Sequence, residues 1–200
     1  MTASQRVILA SGSSIRAAIL DGALVPFDVI KPDVDEDEIK QQAQVEGIDL
    51  EQTAMRLAEA KCMAVASREP GIVIGSDQIM EFEGRAYDKP KSMAEAKTRI
   101  LETQGASHTL INAIAVARDG EIIWRNLDRP TLYMRSLTER EIDVYLSEAG
   151  PEILHSVGAY QIEKLGARLF DQIIGDHYAV LGLSLFPLLA LFRRENILAY

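Results

Sequence analysis

Short apolar runs alternate with amphipathic stretches along most of the chain, and this alternation predicts an α/β fold. Apolar runs at Arg6–Ser11, Phe27–Ile30 and Ile72–Ile74 predict the first three strands. The run at Ile72–Ile74 has no polar residue, which is typical of a central strand buried on both faces. Helical patterns and their end signals predict four helices: from Ser13 or Ser14 to about Leu20 with Gly22 closing it, from Asp33 to near Gly47, from Asp49 to about Ser67, and from Ser92 to Gln104-Gly105.

A β-hairpin is predicted where Leu110–Ala117 and Glu121–Trp124 flank Asp119-Gly120, because Asp-Gly favours a two-residue turn. Thr131–Arg135 predicts another strand. A hairpin beside parallel strands makes the sheet mixed rather than purely parallel. We therefore expect a single domain over residues 1–200, with a long twisted mixed sheet, flanking helices and two lobes around a central cleft.

Capping boxes mark the starts of two helices, Ser92 with Glu95 and Thr138 with Glu141. The most apolar tract, Tyr178–Phe192, contains a glycine and a proline and falls short of the roughly 20 residues that a bilayer requires. It predicts a buried helix, and we expect no association with a membrane.

The charge balance narrows the possible partners. Asp and Glu number 30 against 21 Lys and Arg, a formal net charge of −9, which argues against nucleic-acid binding. The single cysteine, Cys62, lies in a helical apolar pattern; we expect it to be buried, and its isolation fits a reducing, cytoplasmic location. His108, His155 and His177 lack metal-ligand spacing, so no zinc site is expected.

A small, hydroxyl-rich turn joins the first strand to the first helix, with Ser11, Gly12 and Ser13 in the turn and Arg16 one turn into the helix. Unpaired N–H groups and partial positive charge make a helix N-terminus suited to anions. The turn matches neither the phosphate-loop nor the dinucleotide-binding fingerprint. It therefore indicates either an anion site or an ordinary capped helix with a surface arginine.

Two charged residues occupy positions expected to be buried. Asp77 follows the central apolar run, where ligands of open α/β sheets bind, although a structural aspartate capping a turn is the alternative. Lys61 lies four residues from both Leu57 and Val65, inside the apolar stripe of its helix. Its ammonium either reaches solvent past the core or meets a buried anion.

Two further residues carry a functional and an ordinary interpretation. Lys89, held extended by Pro90, either faces a cleft or is a solvated surface lysine. Glu36 lies in an acidic run that favours a helix N-terminus. With Asp77 it could also bind Mg²⁺, which uses one or two carboxylates plus substrate phosphates.

Taken together and in order, these features resemble the Maf family of nucleoside triphosphate pyrophosphatases. The motifs that carry the resemblance span nearly the whole chain: Leu9-Ala10-Ser11-x-Ser13-x-x-Arg16, Asp35-Glu36, Ala60-Lys61, Ile74-Gly75-Ser76-Asp77-Gln78, Lys89-Pro90, Gln104-Gly105 with His108, Val157-Gly158-Ala159-Tyr160, and Gly175-Asp176 followed by Leu181-Gly182-Leu183.

The resemblance implies a two-lobed, commonly homodimeric α/β enzyme that cleaves nucleoside triphosphates between the α and β phosphates. It also implies a divalent cation, Mg²⁺ or Mn²⁺, and discrimination of non-standard or modified bases. By the same resemblance, the site residues have these roles: Ser11, Ser13 and Arg16 bind phosphate, Asp77 is the general base with Gln78 beside it, Lys61 and Lys89 face the phosphates, and Glu36 and Asp77 hold the metal.

The sequence departs from the family pattern at three positions. Ile15 stands where many members have a second arginine, and a possible bidentate phosphate clamp is lost. Asp88 replaces a glycine before Lys89, and Glu163 replaces a glutamine. A carboxylate at Glu163 could attract a cationic ring, which resembles the branch acting on 7-methyl-GTP; the alternative is a surface ion pair with Lys164 or Arg168.

Two other functions remain open at this point. A non-catalytic nucleotide-binding regulator of cell division or septum formation would be consistent with the missing arginine, but not with the retained Asp77, Lys61 and Lys89. A kinase or transferase is disfavoured because no known phosphate loop is present.

Overall fold

The computed structural model describes residues 6–199 of the chain. Strands and helices alternate along it with the following bounds: β1 Val7–Ala10, α1 Ser14–Gly22, β2 Asp28–Val29, α2 Glu36–Glu46, α3 Leu50–Ala66, β3 Ile72–Phe82, β4 Arg85–Tyr87, α4 Met93–Thr103, β5 Ser107–Arg118, β6 Glu121–Asp128, β7 Thr131–Met134, α5 Glu139–Ala149, 3-10 helices Gly150–His155 and Leu165–Leu169, β8 Phe170–Ile174, α6 His177–Leu181 and α7 Leu185–Arg194. The strands form a mixed sheet flanked by helices, so the predicted α/β class is confirmed.

The chain divides into two compact units, and β3 and β5 contribute residues to both. Unit 1 comprises the described residues of 1–77, 112–128 and 182–200, and unit 2 comprises 78–111 and 129–181. A single domain with two lobes around a cleft stays a prediction.

In unit 1, β1 pairs in parallel with β2 on one side and with the first half of β3 on the other. The second half of β5 pairs with β6 in an antiparallel hairpin. Asp119 and Gly120 both have positive φ, 48° and 87°, as the predicted two-residue turn requires. The hairpin prediction is confirmed, and both strands extend beyond their predicted ends.

Helix α3 packs very closely against β3. A Cβ added at Gly75 would lie 2.3 Å from the carbonyl oxygen of Ala58 and 2.6 Å from the Cβ of Cys62, so only glycine allows this approach. The Cys62 thiol is buried and donates to the carbonyl of Val73 at 3.2 Å. The predicted burial of Cys62 is confirmed, and burial raises the pKa of this thiol to about 11.

The central strand is longer than predicted. We expected a strand ending near Ile74 with Asp77 at its carboxyl end, but β3 continues to Phe82 and Asp77 lies within it. Its neighbour β1 stops at Ala10, opposite Gly75. Asp77 therefore lies just past the end of the adjacent strand β1, and its side chain is buried.

Unit 2 has its own apolar core. The first half of β5 pairs with β7, and β7 pairs with β8, which the sequence did not predict. The second half of β3 pairs with β4. The large buried members of the core lie on strands, helices and loops of this unit: Met80, Phe82, Ile100, Leu110, Leu132, Met134, Ile142, Tyr145, Leu146, Ile153, Tyr160 and Leu169.

Helix ends follow the predicted caps with three differences. Ser13 caps α1, and Thr138 with Glu141 forms a full capping box on α5. The Ser92 box is only half formed, because the carboxylate of Glu95 accepts from the N–H of Lys91 instead of that of Ser92. Two other helix predictions also change: Gly22 is the last residue of α1 rather than a residue beyond it, and the apolar tract 178–192 forms two helices, α6 and α7, instead of one.

The break between α6 and α7 is at Gly182, whose φ of 99° is incompatible with a continuing helix. Between residues 6 and 199, no helix has both the length and the apolar character that a membrane crossing needs.

Candidate active site

Lys61 forms the centre of a charged cluster in unit 1. Its apolar neighbours on α3, Leu57 and Val65, are fully buried, and Lys61 itself is only 8% exposed. The ammonium Nζ lies 2.6 Å from Asp77 Oδ1 and 2.8 Å from Glu36 Oε1. Of the two interpretations from sequence, the structure supports a lysine whose ammonium meets a buried anionic group, Asp77, rather than one that reaches solvent.

Asp77 depends on this lysine. The carboxylate is 6% exposed, and burying a charge is costly unless it is paired. Strand β3 presents Asp77 and helix α3 presents Lys61, and the close contact at Gly75 fixes the spacing between these two elements. Removal of either partner would leave the other charge buried without compensation.

Glu36 is the most exposed carboxylate of the cluster. It is the first residue of α2, after the N-cap Asp35, so its charge also favours the helix dipole. Its side chain is 45% exposed, compared with 8% for the side chain of Asp77. Lys61 therefore bridges one buried carboxylate and one that reaches solvent.

Arg16 lies in the same unit but binds main-chain oxygens. Its Nε donates to the carbonyl of Gly182 and its Nη1 to the carbonyl of Ser76, both at 2.8 Å. Burial lowers the pKa of the guanidinium, while the carboxylates of Asp77 and Glu36 act to raise it. Two carbonyls therefore fix the orientation of the guanidinium, and phosphate binding by Arg16 stays a prediction.

The serines of the first turn bond to the turn itself. Ser11 is buried, and its Oγ accepts from the N–H of Ser13 at 3.1 Å. Ser13 Oγ accepts from the N–H of Arg16 at 3.5 Å. The alkyl chain of Lys31 covers Gly12, within 3.9 Å of where a Cβ would lie, and places an exposed lysine beside this turn. Phosphate binding by the turn stays a prediction, and Lys31 is an additional cation that the sequence analysis missed.

The remaining predicted residues belong to unit 2. Gln78 donates its amide to the carbonyls of Ala179 and Val180, at 2.8 and 3.1 Å. Lys89 is exposed in the loop between β4 and α4, and the carbonyl of Asp88 in that loop accepts from Arg99 at 2.9 Å. Their approach to the cluster of unit 1 stays a prediction.

Glu163 is exposed in the turn before the second 3-10 helix. Arg168, one of the two surface partners considered for it, contacts Glu148 instead, with Nη1 4.0 Å from Oε2. The role of Glu163 towards a base stays a prediction.

A divalent cation fits the donor chemistry of this cluster only with help from a ligand. Glu36 and Asp77 supply carboxylate oxygens around one ammonium, and Mg²⁺ sites use one or two carboxylates with substrate phosphates. No group of three or more His, Cys, Asp or Glu among residues 6–199 could hold a metal by itself. Phosphate oxygens would have to complete the coordination.

Two buried polar residues beside the cluster were not singled out from sequence. Asn112 and Ser184 are both fully buried; Ser184 Oγ donates to Asn112 Oδ1 at 2.9 Å, and Asn112 Nδ2 donates to the carbonyl of Asp77 at 3.3 Å. Asn112 could have been found, because it is the one polar residue in the apolar run 110–117.

Comparisons with known proteins identify the family of this chain. Residues 6–195 match the family model described as Maf-like protein. A protein of Hyphomonas neptunium named nucleoside triphosphate pyrophosphatase is 44% identical over 98% of both chains. Proteins with the same name from Caulobacter vibrioides, 42% identical over 96% of both chains, and Granulibacter bethesdensis, 38% identical over 96% of this chain and 98% of the other, also match. The chain thus belongs to the Maf family.

Proposed function

We propose that this protein is a nucleoside triphosphate pyrophosphatase, which adds water across the α–β phosphoanhydride to give a nucleoside monophosphate and pyrophosphate. Family membership and the names of its relatives support this activity. The observation that carries the proposal is the bridge of Lys61 between Asp77 and Glu36. A buried carboxylate beside a buried ammonium can accept a proton from water while the cation compensates phosphate charge.

Charge compensation defines the proposed roles of the other residues. A triphosphate carries about four negative charges, and phosphoryl transfer is catalysed chiefly by positioning and electrostatic stabilisation. Asp77 accepts the proton of the attacking water, and Lys61 faces the charge that develops on the phosphates. Arg16, Lys89 and the turn containing Ser11 and Ser13 bind the phosphate chain, with Gln78 beside the base.

The proposal includes a divalent cation, Mg²⁺ or Mn²⁺, held by Glu36 and Asp77 together with phosphate oxygens. When bound, such an ion neutralises phosphate charge and makes bound water more acidic. Lys61 contacts both carboxylates, so its ammonium would compete with such an ion for them.

The test is an assay of products. Pure protein with Mg²⁺ is incubated with standard and modified nucleoside triphosphates, and pyrophosphate and orthophosphate are measured separately. We expect pyrophosphate. Asp77→Asn should remove most of this turnover while the affinity for nucleotide stays within about tenfold, because the amide keeps the shape but cannot accept the proton. Wild-type turnover in this variant would contradict the assignment of the base.

For the base, we propose a preference for a modified, positively charged purine such as that of 7-methyl-GTP. The exposed carboxylate of Glu163 supports this choice, because it is available to a cationic ring. The ratio of kcat/KM for 7-methyl-GTP to that for GTP should fall in Glu163→Gln. An unchanged ratio would remove Glu163 from recognition without affecting the proposed reaction.

The second candidate is a nucleotide-binding regulator of cell division or septum formation that does not hydrolyse its ligand. The observation that favours it is Ile15, which lacks the phosphate-binding capacity of an arginine. Tight binding of a triphosphate with no product from any member of the panel would support this function. Orthophosphate as the sole product would instead indicate a different hydrolase or transferase.

We also propose that the protein is a cytoplasmic homodimer that binds no nucleic acid. The net charge of −9 and the single buried cysteine support the cellular and nucleic-acid parts of this statement. Light scattering coupled to size-exclusion chromatography measures the oligomeric state directly, and a monomeric mass at working concentration would contradict the dimer.

A further inference from the structure

A chain of fully buried polar side chains runs beside the charged cluster within unit 1. Ser76, Asn112 and Ser184 are each 0% exposed. Buried polar groups are costly unless they are hydrogen-bonded, and all three have partners here. Ser184 is connected through Asn112 to the backbone carbonyl of Asp77. Ser76 donates to the carbonyl of Gly182, which also accepts from Arg16.

Gly182 joins two of the connections. Its carbonyl accepts from Arg16 Nε and from Ser76 Oγ, both at 2.8 Å. Its Cα also lies against the guanidinium, because an added Cβ would be 3.2 Å from Arg16 Nε and 3.4 Å from Nη2. With a φ of 99°, this position favours glycine for conformational reasons as well. Gly182 therefore fixes both the distance and the plane of the Arg16 side chain.

Ser184 bonds to Asn112 instead of capping its own helix, α7. It is the N-cap of α7, yet its hydroxyl makes no capping bond. Ser184 Oγ instead donates to Asn112, whose amide donates to the carbonyl of Asp77. A serine at an N-cap normally accepts from the N–H groups of the helix, so this hydroxyl serves the interior rather than the helix end.

We propose that Asn112, Gly182 and Ser184 are positioning residues that hold Asp77 and Arg16 in register for the reaction. This inference rests on the proposed function, because it assigns Asp77 and Arg16 their roles. The Gly182–Ser184 segment binds Arg16 through one carbonyl and Asp77 through the Ser184–Asn112 pair. A shift of this segment therefore moves the proposed base and a proposed phosphate ligand together.

The first test separates catalysis from binding. Ser184→Ala and Asn112→Leu should lower kcat for pyrophosphate release by roughly 10- to 100-fold, the scale of a small misplacement of reacting groups. KM should stay within about threefold, because both substitutions keep the Gly182 carbonyl that orients Arg16. Ser184→Thr keeps the hydroxyl and should recover most of the lost kcat.

Thr103→Val is the matched control for loss of stability. Thr103 is also fully buried and its hydroxyl donates to a carbonyl, that of Arg99 at 2.9 Å, but it lies in unit 2 within α4. Its kcat per folded molecule should equal that of the wild type. If Thr103→Val lost as much kcat as Ser184→Ala at equal thermal stability, the positioning role would be overturned.

The second test needs no turnover. Calorimetry with a non-hydrolysable nucleoside triphosphate analogue should give an affinity within about threefold of the wild type for Ser184→Ala and Asn112→Leu, because both variants keep the Gly182 carbonyl that orients Arg16. A loss of affinity as large as the loss of kcat would overturn the positioning role.

Failure of the inference and failure of the proposed function give different results. Pyrophosphate release by the wild type, with kcat unchanged in Ser184→Ala and Asn112→Leu, refutes the positioning role and leaves the activity intact. If the wild type releases no pyrophosphate, the proposed function fails, and the positioning role that rests on it fails as well.

Discussion

Mild acid should destabilise this protein because His108 is buried in its neutral form. The imidazole is 2% exposed; its Nε2 lies 2.6 Å from the hydroxyl of Tyr160, and its ring contacts Phe170 edge-on. Burial lowers the pKa of His108 from 6.5 to about 4. No carboxylate in the described part of the chain contributes to that shift.

The direction and size of the effect follow from linkage. The native pKa lies below that of the unfolded chain, so between these two values the unfolded chain binds more protons and stability falls as the pH falls. The contribution of His108 is complete above the unfolded value and lost below about 4. Between pH 7 and pH 5 the shift corresponds to a loss of about 2 kcal/mol in the free energy of unfolding.

Urea unfolding followed by circular dichroism at pH 7, 6 and 5 measures this loss. His108→Gln should lack about 2 kcal/mol of the pH dependence, because an amide can still bond to Tyr160 but does not titrate. Carboxylates contribute equally to the pH dependence of both proteins. The difference in pH dependence of the free energy of unfolding between the two proteins therefore gives the contribution of His108. His155→Gln, the same substitution at an exposed histidine, is the matched control.

An equal loss of stability in His108→Gln and the wild type between pH 7 and pH 5 would refute the reasoning. It would mean that His108 binds a proton in the native state as easily as in the unfolded chain.

Three further perturbations test the site and its support. In a steady-state assay of pyrophosphate release, Lys61→Ala should lower kcat/KM by about 30- to 1,000-fold, which corresponds to roughly 2–4 kcal/mol of transition-state stabilisation. An unchanged kcat/KM would contradict the proposed contact of Lys61 with the charge of the transition state. Gly75→Ala should lower the midpoint of urea unfolding strongly, because the added Cβ would lie 2.3 Å from the carbonyl oxygen of Ala58 and 2.6 Å from the backbone N of Cys62. A wild-type midpoint would show that α3 can move away from β3 at little cost in stability. Removal of divalent ions with a chelator should stop pyrophosphate release and added Mg²⁺ should restore it, whereas full activity in the chelator would remove the metal from the proposal.

The sequence predicts most of the local structure because end signals act locally. The cap at Ser13, the capping box at Thr138 and the Asp119-Gly120 turn are all confirmed. The predicted length of strand β3 was too short because polar residues interrupt its apolar pattern after Ile74. These residues are compensated by tertiary partners, Asp77 by Lys61 and Glu81 by Arg129, which a local pattern cannot reveal.

The sequence singled out Lys61, Asp77 and Glu36, but it did not predict the contacts among them. Spacing placed Lys61 inside an apolar stripe, but only the fold decides whether its ammonium meets solvent or Asp77. Arg16 could be expected to approach an anion; its two carbonyl partners, on Ser76 and Gly182, lie 60 and 166 residues away. Strand β8 was missed because Asp and Gln interrupt a short segment whose pairing with β7 is purely tertiary.

Gly182, which orients Arg16, is translated late in the synthesis of the chain. Unit 1 is assembled from three stretches of chain, and the last of them begins at residue 182, whereas every residue of unit 2 has been made by residue 181. During translation, Arg16 and Ser76 are therefore synthesised long before Gly182, whose carbonyl accepts a hydrogen bond from each of them. A nascent chain released before residue 182 would carry every charged residue of the cluster yet lack the carbonyl that orients the guanidinium, so catalytic competence would arrive late in translation.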